Sequence, residues 1–210
     1  MSKLSNQKLR ISVQRRNHPA KGSSIKVEPI RHRREIERIK RLLSGNARNL
    51  CLFTLGINTA FRAGELLSLR IGDVAHLKAG QSFDLKQAKN KQYRRVSLNK
   101  VSKAAIDRWL ACHPSPDLNA PLFISQRSGS ALGVSAVNQL VKSWCAKAGL
   151  GGNYGSHSLR KTWGYHQRIE RGTSVALLMR AFGHASEAQT LEYLCIQPDE
   201  LRHLYMELEL

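Results

Sequence analysis

The stretch from His157 to Tyr193 opens His157-Ser158-Leu159-Arg160, passes through Gly183-His184 and closes Thr190-Leu191-Glu192-Tyr193. Between these points the apolar residues keep helical spacing, so Leu159 to Arg171, Ser174 to Phe182 and Ala185 to Leu194 each read as a helix. Gly172 and Gly183 separate the three runs, and the cluster from Gly149 to Gly155 stands ahead of the first. Basic and polar groups thus crowd into short motifs at the ends of helices.

Working outward, Val134 to Ala148 and Val101 to Cys112 are also helical in spacing, with Pro114, Pro116, Gly129 and Gly133 as breakers. Phe83-Asp84-Leu85 and Arg95-Val96-Ser97-Leu98 alternate on either side of the Lys-rich connection Gln87 to Tyr93, which reads as a β-hairpin with a basic tip. Nearer the start, Ile36, Ile39, Leu42 and Leu43 define a first helix that Gly45 and Asn46 stop. An apolar segment from Leu50 to Phe61 follows, then a bend near Arg62 and a short helix from Ala63 to Leu69. The fold class is mainly α with a small antiparallel β-sheet (α+β).

The chain divides into three parts. Residues 1–27 hold no acidic residue and carry Lys3, Lys8, Arg10, Arg15, Arg16, Lys21 and Lys26, which reads as a flexible basic arm, either a solvated tail or a grip on DNA. Residues 28–196 form the globular domain. Residues 197–210 carry Leu201, Leu204, Tyr205 and Leu208 at helical spacing, a tail helix.

With 210 residues, 41% of them hydrophobic, the chain can bury one sizeable core. Its formal net charge of +19 suits a polyanion, whether duplex DNA, RNA or an anionic membrane. There is no long apolar run and no apolar core near Met1 of the kind a signal peptide needs, so the expectation is a soluble, cytoplasmic protein. Cys51, Cys112, Cys145 and Cys195 form no CxxC pair and are expected to be reduced thiols, without metal.

A further motif, Ala60-Phe61-Arg62-Ala63-Gly64-Glu65-Leu66-Leu67-Ser68-Leu69, completes a set. Taken in order, these segments resemble the boxes of the tyrosine recombinases, the phage-integrase family: G-x-R-x-x-E-L, then H-x-L-R, G-H, and T-x-x-Y with the tyrosine nine residues after the histidine. The run Leu122-Phe123-Ile124 is also similar to that family, and the resemblance extends from about residue 30 to the end. It implies a tyrosine recombinase catalytic-domain fold, and a site-specific recombinase or integrase that cleaves and rejoins DNA through a 3′-phosphotyrosyl intermediate. A type IB topoisomerase or a non-catalytic DNA-binding regulator of the same fold stand as alternatives.

Carried over by position, the resemblance makes Tyr193 the nucleophile and gives Arg62 and Arg160 the scissile phosphate, work that suits a planar guanidinium with parallel donors. It makes His157 and His184 the histidines that bond the phosphate or take the tyrosine proton, without deciding which is the base. It places a lysine in the hairpin connection to protonate the leaving 5′ oxygen, Lys89 by alignment with Lys91 as competitor. Glu65 is read as a support for the Arg62 loop. The resemblance implies no cofactor and no metal. Its implied partners are double-stranded DNA and further copies of the chain, in a tetrameric synapse on DNA that accessory DNA-bending proteins help, and no membrane.

The chain departs from the family pattern in three places. Ala60 stands where Gly is usual, Lys161 where a His often follows the second arginine, and Cys195 where a third His follows the nucleophile. Family members also carry a helical DNA-binding domain ahead of the catalytic one, so the chain is expected to be a minimal enzyme or half of a larger protein. The tail helix is expected to dock in cis or into a neighbouring protomer.

Overall fold

A computed structural model describes residues 26–86, 93–125 and 128–195, with residues 202, 205 and 206 of the tail. The chain order begins with four helices, α1 (Arg33–Leu42), α2 (Ala47–Gly56), α3 (Ala63–Leu67) and α4 (Ile71–Val74). Strands β1 (Ser82–Lys86) and β2 (Tyr93–Ser97) follow, then α5 (Lys100–Leu110), α6 (Val134–Lys147), α7 (Ser156–Ile169), α8 (Val175–Phe182) and α9 (Glu187–Leu194). Four of the helix starts have a local cause in a capping side chain. The side chains of Asn46, Asn99, Ser174 and Ser186 accept the backbone N–H of Asn49, Ser102, Leu177 and Gln189, satisfying donors that a helix leaves open at its first turn.

The expected stop at Gly45-Asn46 is therefore also the next helix's cap. The apolar run to Phe61 is helical only to Gly56, and α4 was not legible in the sequence. The hairpin is present, with Phe83 opposite Val96 and Leu85 opposite Arg94. Its basic connection, including Lys89 and Lys91, lies outside the described residues. Helix α7 starts earlier than the spacing suggests, so His157 and Arg160 both sit in its first turns. Ser158 Oγ accepts Gly155 N–H at 3.0 Å and Asn138 Oδ1 of α6 accepts Ser156 N–H at 3.0 Å, which lets a glycine-rich entry start the helix at once.

One core joins α1, α2, α5, α6 and the hairpin, centred on buried Leu52, Phe53, Leu55, Ile106, Phe123, Val137 and Val141. A smaller cluster of Ala60, Leu178, Phe182 and Leu194 packs with Trp163 and Tyr193, and this one positions the site. Gly164 of α7 makes the packing possible, because a Cβ there would collide with the Phe182 ring and sit 3.1 Å from Leu194. Among the described residues, no helix is long and apolar enough to cross a membrane.

Candidate active site

The site is built at the C-terminal end of α8. A helix leaves its last four carbonyls without intrahelical partners, and here each of the four is answered. Gly183, left-handed at φ 63°, and His184 turn their backbone N–H groups onto Arg180 and Met179. Arginines supply the rest. Arg94 Nη1 donates to the Ala181 carbonyl at 2.9 Å, while Arg62 Nη2 donates to the Phe182 carbonyl at 3.2 Å and Arg160 Nη2 donates to the same oxygen. Positive charge at the negative end of the α8 dipole is favourable in itself. Gly183-His184 thus meets Arg62 and Arg160 because those arginines finish the helix that the glycine ends.

Arg62 sits at the bend before α3, as the sequence suggests, and Glu65 holds it there. The Glu65 carboxylate accepts the Arg62 backbone N–H at 2.7 Å and Arg62 Nη1 at 2.9 Å. It also accepts Arg94 Nη2 at 3.2 Å and lies 3.7 Å from Arg160 Nη1. The bend needs Ala60 at φ 56°, a left-handed conformation, which explains why the family pattern has glycine there. In that conformation the Ala60 carbonyl accepts Arg160 Nη1 at 2.6 Å and Arg94 Nη1 at 3.2 Å.

Arg160 is almost fully buried, and burial pushes its guanidinium down to about 10, still charged at neutral pH. It lies over the rings of Phe182 and Tyr193, at 4.9 and 5.9 Å from their centroids. Tyr193 projects from the last turn of α9 against Phe182 and His184, with ring centroids 5.1 and 5.0 Å away. Burial pushes the phenol up to about 12, against the pull of Arg160 and Arg62. The hydroxyl is therefore protonated at rest, and it stands 3.3 Å from His157 Nδ1.

Both histidines are held neutral. Burial, and then the nearby Arg160, lower the His157 imidazole, and the same causes bring His184 down to about 4. His184 Nδ1 is 3.1 Å from Thr190 Oγ1, and that hydroxyl gives its own hydrogen to the Ser186 carbonyl at 3.2 Å. Nδ1 is then the donor, which leaves Nε2 as the unprotonated nitrogen. The threonine of the T-x-x-Y box thereby sets the histidine of the G-H box.

Arg62, His157, Arg160, His184 and Tyr193 line a single cavity of about 450 Å³ with Gly183, Ala185 and Gln189. A separate cavity lined by Arg33, Asn58, His166 and Glu170 contains none of the box residues. Two of the departures from the family pattern meet beside Tyr193, Lys161 Nζ lying 3.0 Å from Cys195 Sγ and 4.9 Å from the Tyr193 ring centroid. Sequence reasoning missed Arg94. It reads as one of many hairpin basic residues, and the signal that could have found it is its position opposite buried Leu85, on the strand face turned to the core.

Residues 31–200 match the model of the phage integrase family. The chain is 32% identical over 185 residues to the probable integrase/recombinase YoeC of Bacillus subtilis (strain 168), covering 85% of this chain and 95% of YoeC. It is 26% identical to the tyrosine recombinase XerC of Proteus mirabilis over 76% of this chain, but it spans only 51% of that protein. Among solved structures, the XerH site-specific recombinase bound to palindromic difH substrate in a post-cleavage complex superposes with a TM-score of 0.69 at 26% identity. That match covers 87% of this chain and 53% of the XerH chain. The XerA recombinase, at 22% identity and a TM-score of 0.69, shares the fold over 90% of this chain and 66% of its own.

Proposed function

The chain belongs to the phage integrase family and is a tyrosine recombinase catalytic domain, and from that premise we propose that it cleaves and rejoins duplex DNA through a covalent bond to Tyr193. The observation that carries the proposal is the Tyr193 hydroxyl, in reach of His157 and sharing one cavity with Arg62, Arg160 and His184. In this reading the Tyr193 oxygen attacks the scissile phosphorus and its proton passes to His157 Nδ1. The 5′ oxygen leaves with a proton supplied from the hairpin connection by Lys89, or by Lys91. A phosphotyrosine at the 3′ side conserves the phosphodiester energy, so an incoming 5′ hydroxyl reverses the step without a nucleotide cofactor.

Arg62 and Arg160 meet the charge that grows on the non-bridging oxygens, and the arriving phosphate, an anion, raises the His184 imidazole so that Nε2 takes a proton from solvent and donates it as a hydrogen bond to the same phosphate. Glu65, Thr190 and the α8 carbonyls hold these groups in place before DNA arrives. A palindromic site such as the one XerH binds suits two protomers related by a two-fold axis. Duplex DNA and further copies of the chain are thus the partners we infer, with DNA in the cytoplasm as the substrate. The net charge of +19 makes binding phosphate-led, so affinity is expected to fall steeply with salt.

The test is covalent capture. The protein and a Tyr193→Phe variant are incubated with fragmented DNA from the source cell, denatured in detergent, and the DNA retained on protein is sequenced. Capture by the parent alone supports the proposal and reveals the target site; equal retention by the variant contradicts it.

A further inference from the structure

We propose that Arg94 is a positioning residue for DNA cleavage, keeping Arg62 and Arg160 aimed into the cavity and leaving their charge available to the phosphate. This rests on the recombinase reading above. Arg94 belongs to β2, yet its guanidinium leaves the hairpin and enters the network between the two arginines. It shares the Ala60 carbonyl with Arg160, sits on Ala181 beside the Phe182 carbonyl that Arg62 and Arg160 share, and binds the Glu65 oxygen that also receives the Arg62 backbone N–H. Its side chain is 12% exposed, and it stacks 5.3 Å from the Phe61 ring centroid, so it is held inside the protein and does not reach into the cavity that the other two line.

The charges give the reason for a third arginine. Glu65 is a nearly buried carboxylate in contact with Arg62 and close to Arg160. Alone, it would draw on the positive potential of the two groups that must meet the phosphate, and in low dielectric that loss is large. Arg94 supplies the matching charge, so the cluster of three guanidiniums and one carboxylate keeps a net +2. Two is also the charge that a phosphodiester develops when a tyrosinate adds to it. Arg94 further ties β2, and with it the hairpin, to the arginine pair.

The experiment compares the parent, Arg94→Met and Arg94→Lys on two versions of a duplex that the parent cleaves. One has an ordinary scissile phosphate and the other a methylphosphonate at that position, in which one charged oxygen is replaced by an uncharged methyl group. The rate of covalent adduct formation is read on denaturing gels, and circular dichroism with thermal melting reports folding. A donor displaced by about an ångström costs on the order of 100-fold, so Arg94→Met is expected to lose about that much on the phosphate. On the methylphosphonate, where less charge needs meeting, its gap to the parent should shrink to under about tenfold. Arg94→Lys, with the charge but fewer donors, should fall between.

A rate for Arg94→Met within about threefold of the parent on the phosphate overturns the proposal, as does an equal loss on both substrates, which a purely structural role would give. Should Arg94→Met fail to fold, Arg94→Lys carries the same two-substrate comparison. Failure of the parent itself to form an adduct with any DNA overturns the recombinase reading, and the role of Arg94 with it.

Discussion

Glu65→Gln keeps the shape of the side chain and removes the one negative charge among Arg62, Arg94 and Arg160. Those groups lie 2.9, 3.2 and 3.7 Å from the carboxylate, which is 4% exposed, while the Arg62 and Arg94 side chains are 29% and 12% exposed. Removing one partner of a buried ion pair costs about 3–5 kcal/mol, because the remaining charge stays buried and unmatched. The amide oxygen of glutamine still caps the Arg62 backbone N–H, and Arg62 reaches solvent, so the low end, about 3 kcal/mol, is expected. In a domain of this size each kcal/mol moves Tm by about 2–4 °C, which puts the loss at about 6–12 °C. Equilibrium urea unfolding and melting measure it. Sulfate should restore more stability to the variant than to the parent, since three guanidiniums without a carboxylate form a stronger anion site. A change below about 1 kcal/mol, the range of an exposed ion pair, or a loss that sulfate does not narrow, would refute the reasoning.

Ala60→Gly relieves a left-handed φ of 56° and should leave stability unchanged or higher by up to about 1 kcal/mol; a loss larger than that in urea unfolding would show that the Ala60 Cβ matters more than the strain. Gly164→Ala presses a Cβ onto the Phe182 ring and should cost about 1–3 kcal/mol and lower cleavage, since the Phe182 carbonyl holds Arg62 and Arg160; unaltered melting and activity would contradict the close packing. For pH, the folded value of His184 is about 4 against an ordinary 6.5, so the folded state binds fewer protons than the unfolded one between these limits. Its contribution to stability is therefore complete above about pH 6.5 and declines as pH falls towards 4, and His184→Asn should flatten that decline in melting curves recorded across the window.

Three of the boxes were legible because they are tied to local backbone demands. Gly183 must take φ 63° to end α8, Thr190 must reach His184 from one turn before Tyr193, and Glu65 must cap the N–H of Arg62. Those constraints act within a few residues, so spacing records them. Helix periodicity located the helices that pack one face on the core, while α4, a single turn capped by Asp73, was too short to show a period. Arg94 was missed for a different reason. Its partners, Glu65 at 29 residues and Ala181 at 87, are joined to it only by the fold, and an arginine in a basic hairpin looks like any solvated charge. The meeting of Lys161 with Cys195 is long-range in the same sense: the sequence shows both departures and gives no sign that they touch.

The central claim concerns one bond, between the Tyr193 oxygen and phosphorus. The direct measurement is to trap the protein on its target DNA, digest away protein and nucleic acid, and locate the nucleotide adduct by tandem mass spectrometry. The expected result is a peptide carrying a 3′-linked nucleotide on Tyr193, absent from Tyr193→Phe. An adduct on another residue, or a 5′ linkage, would contradict the claim.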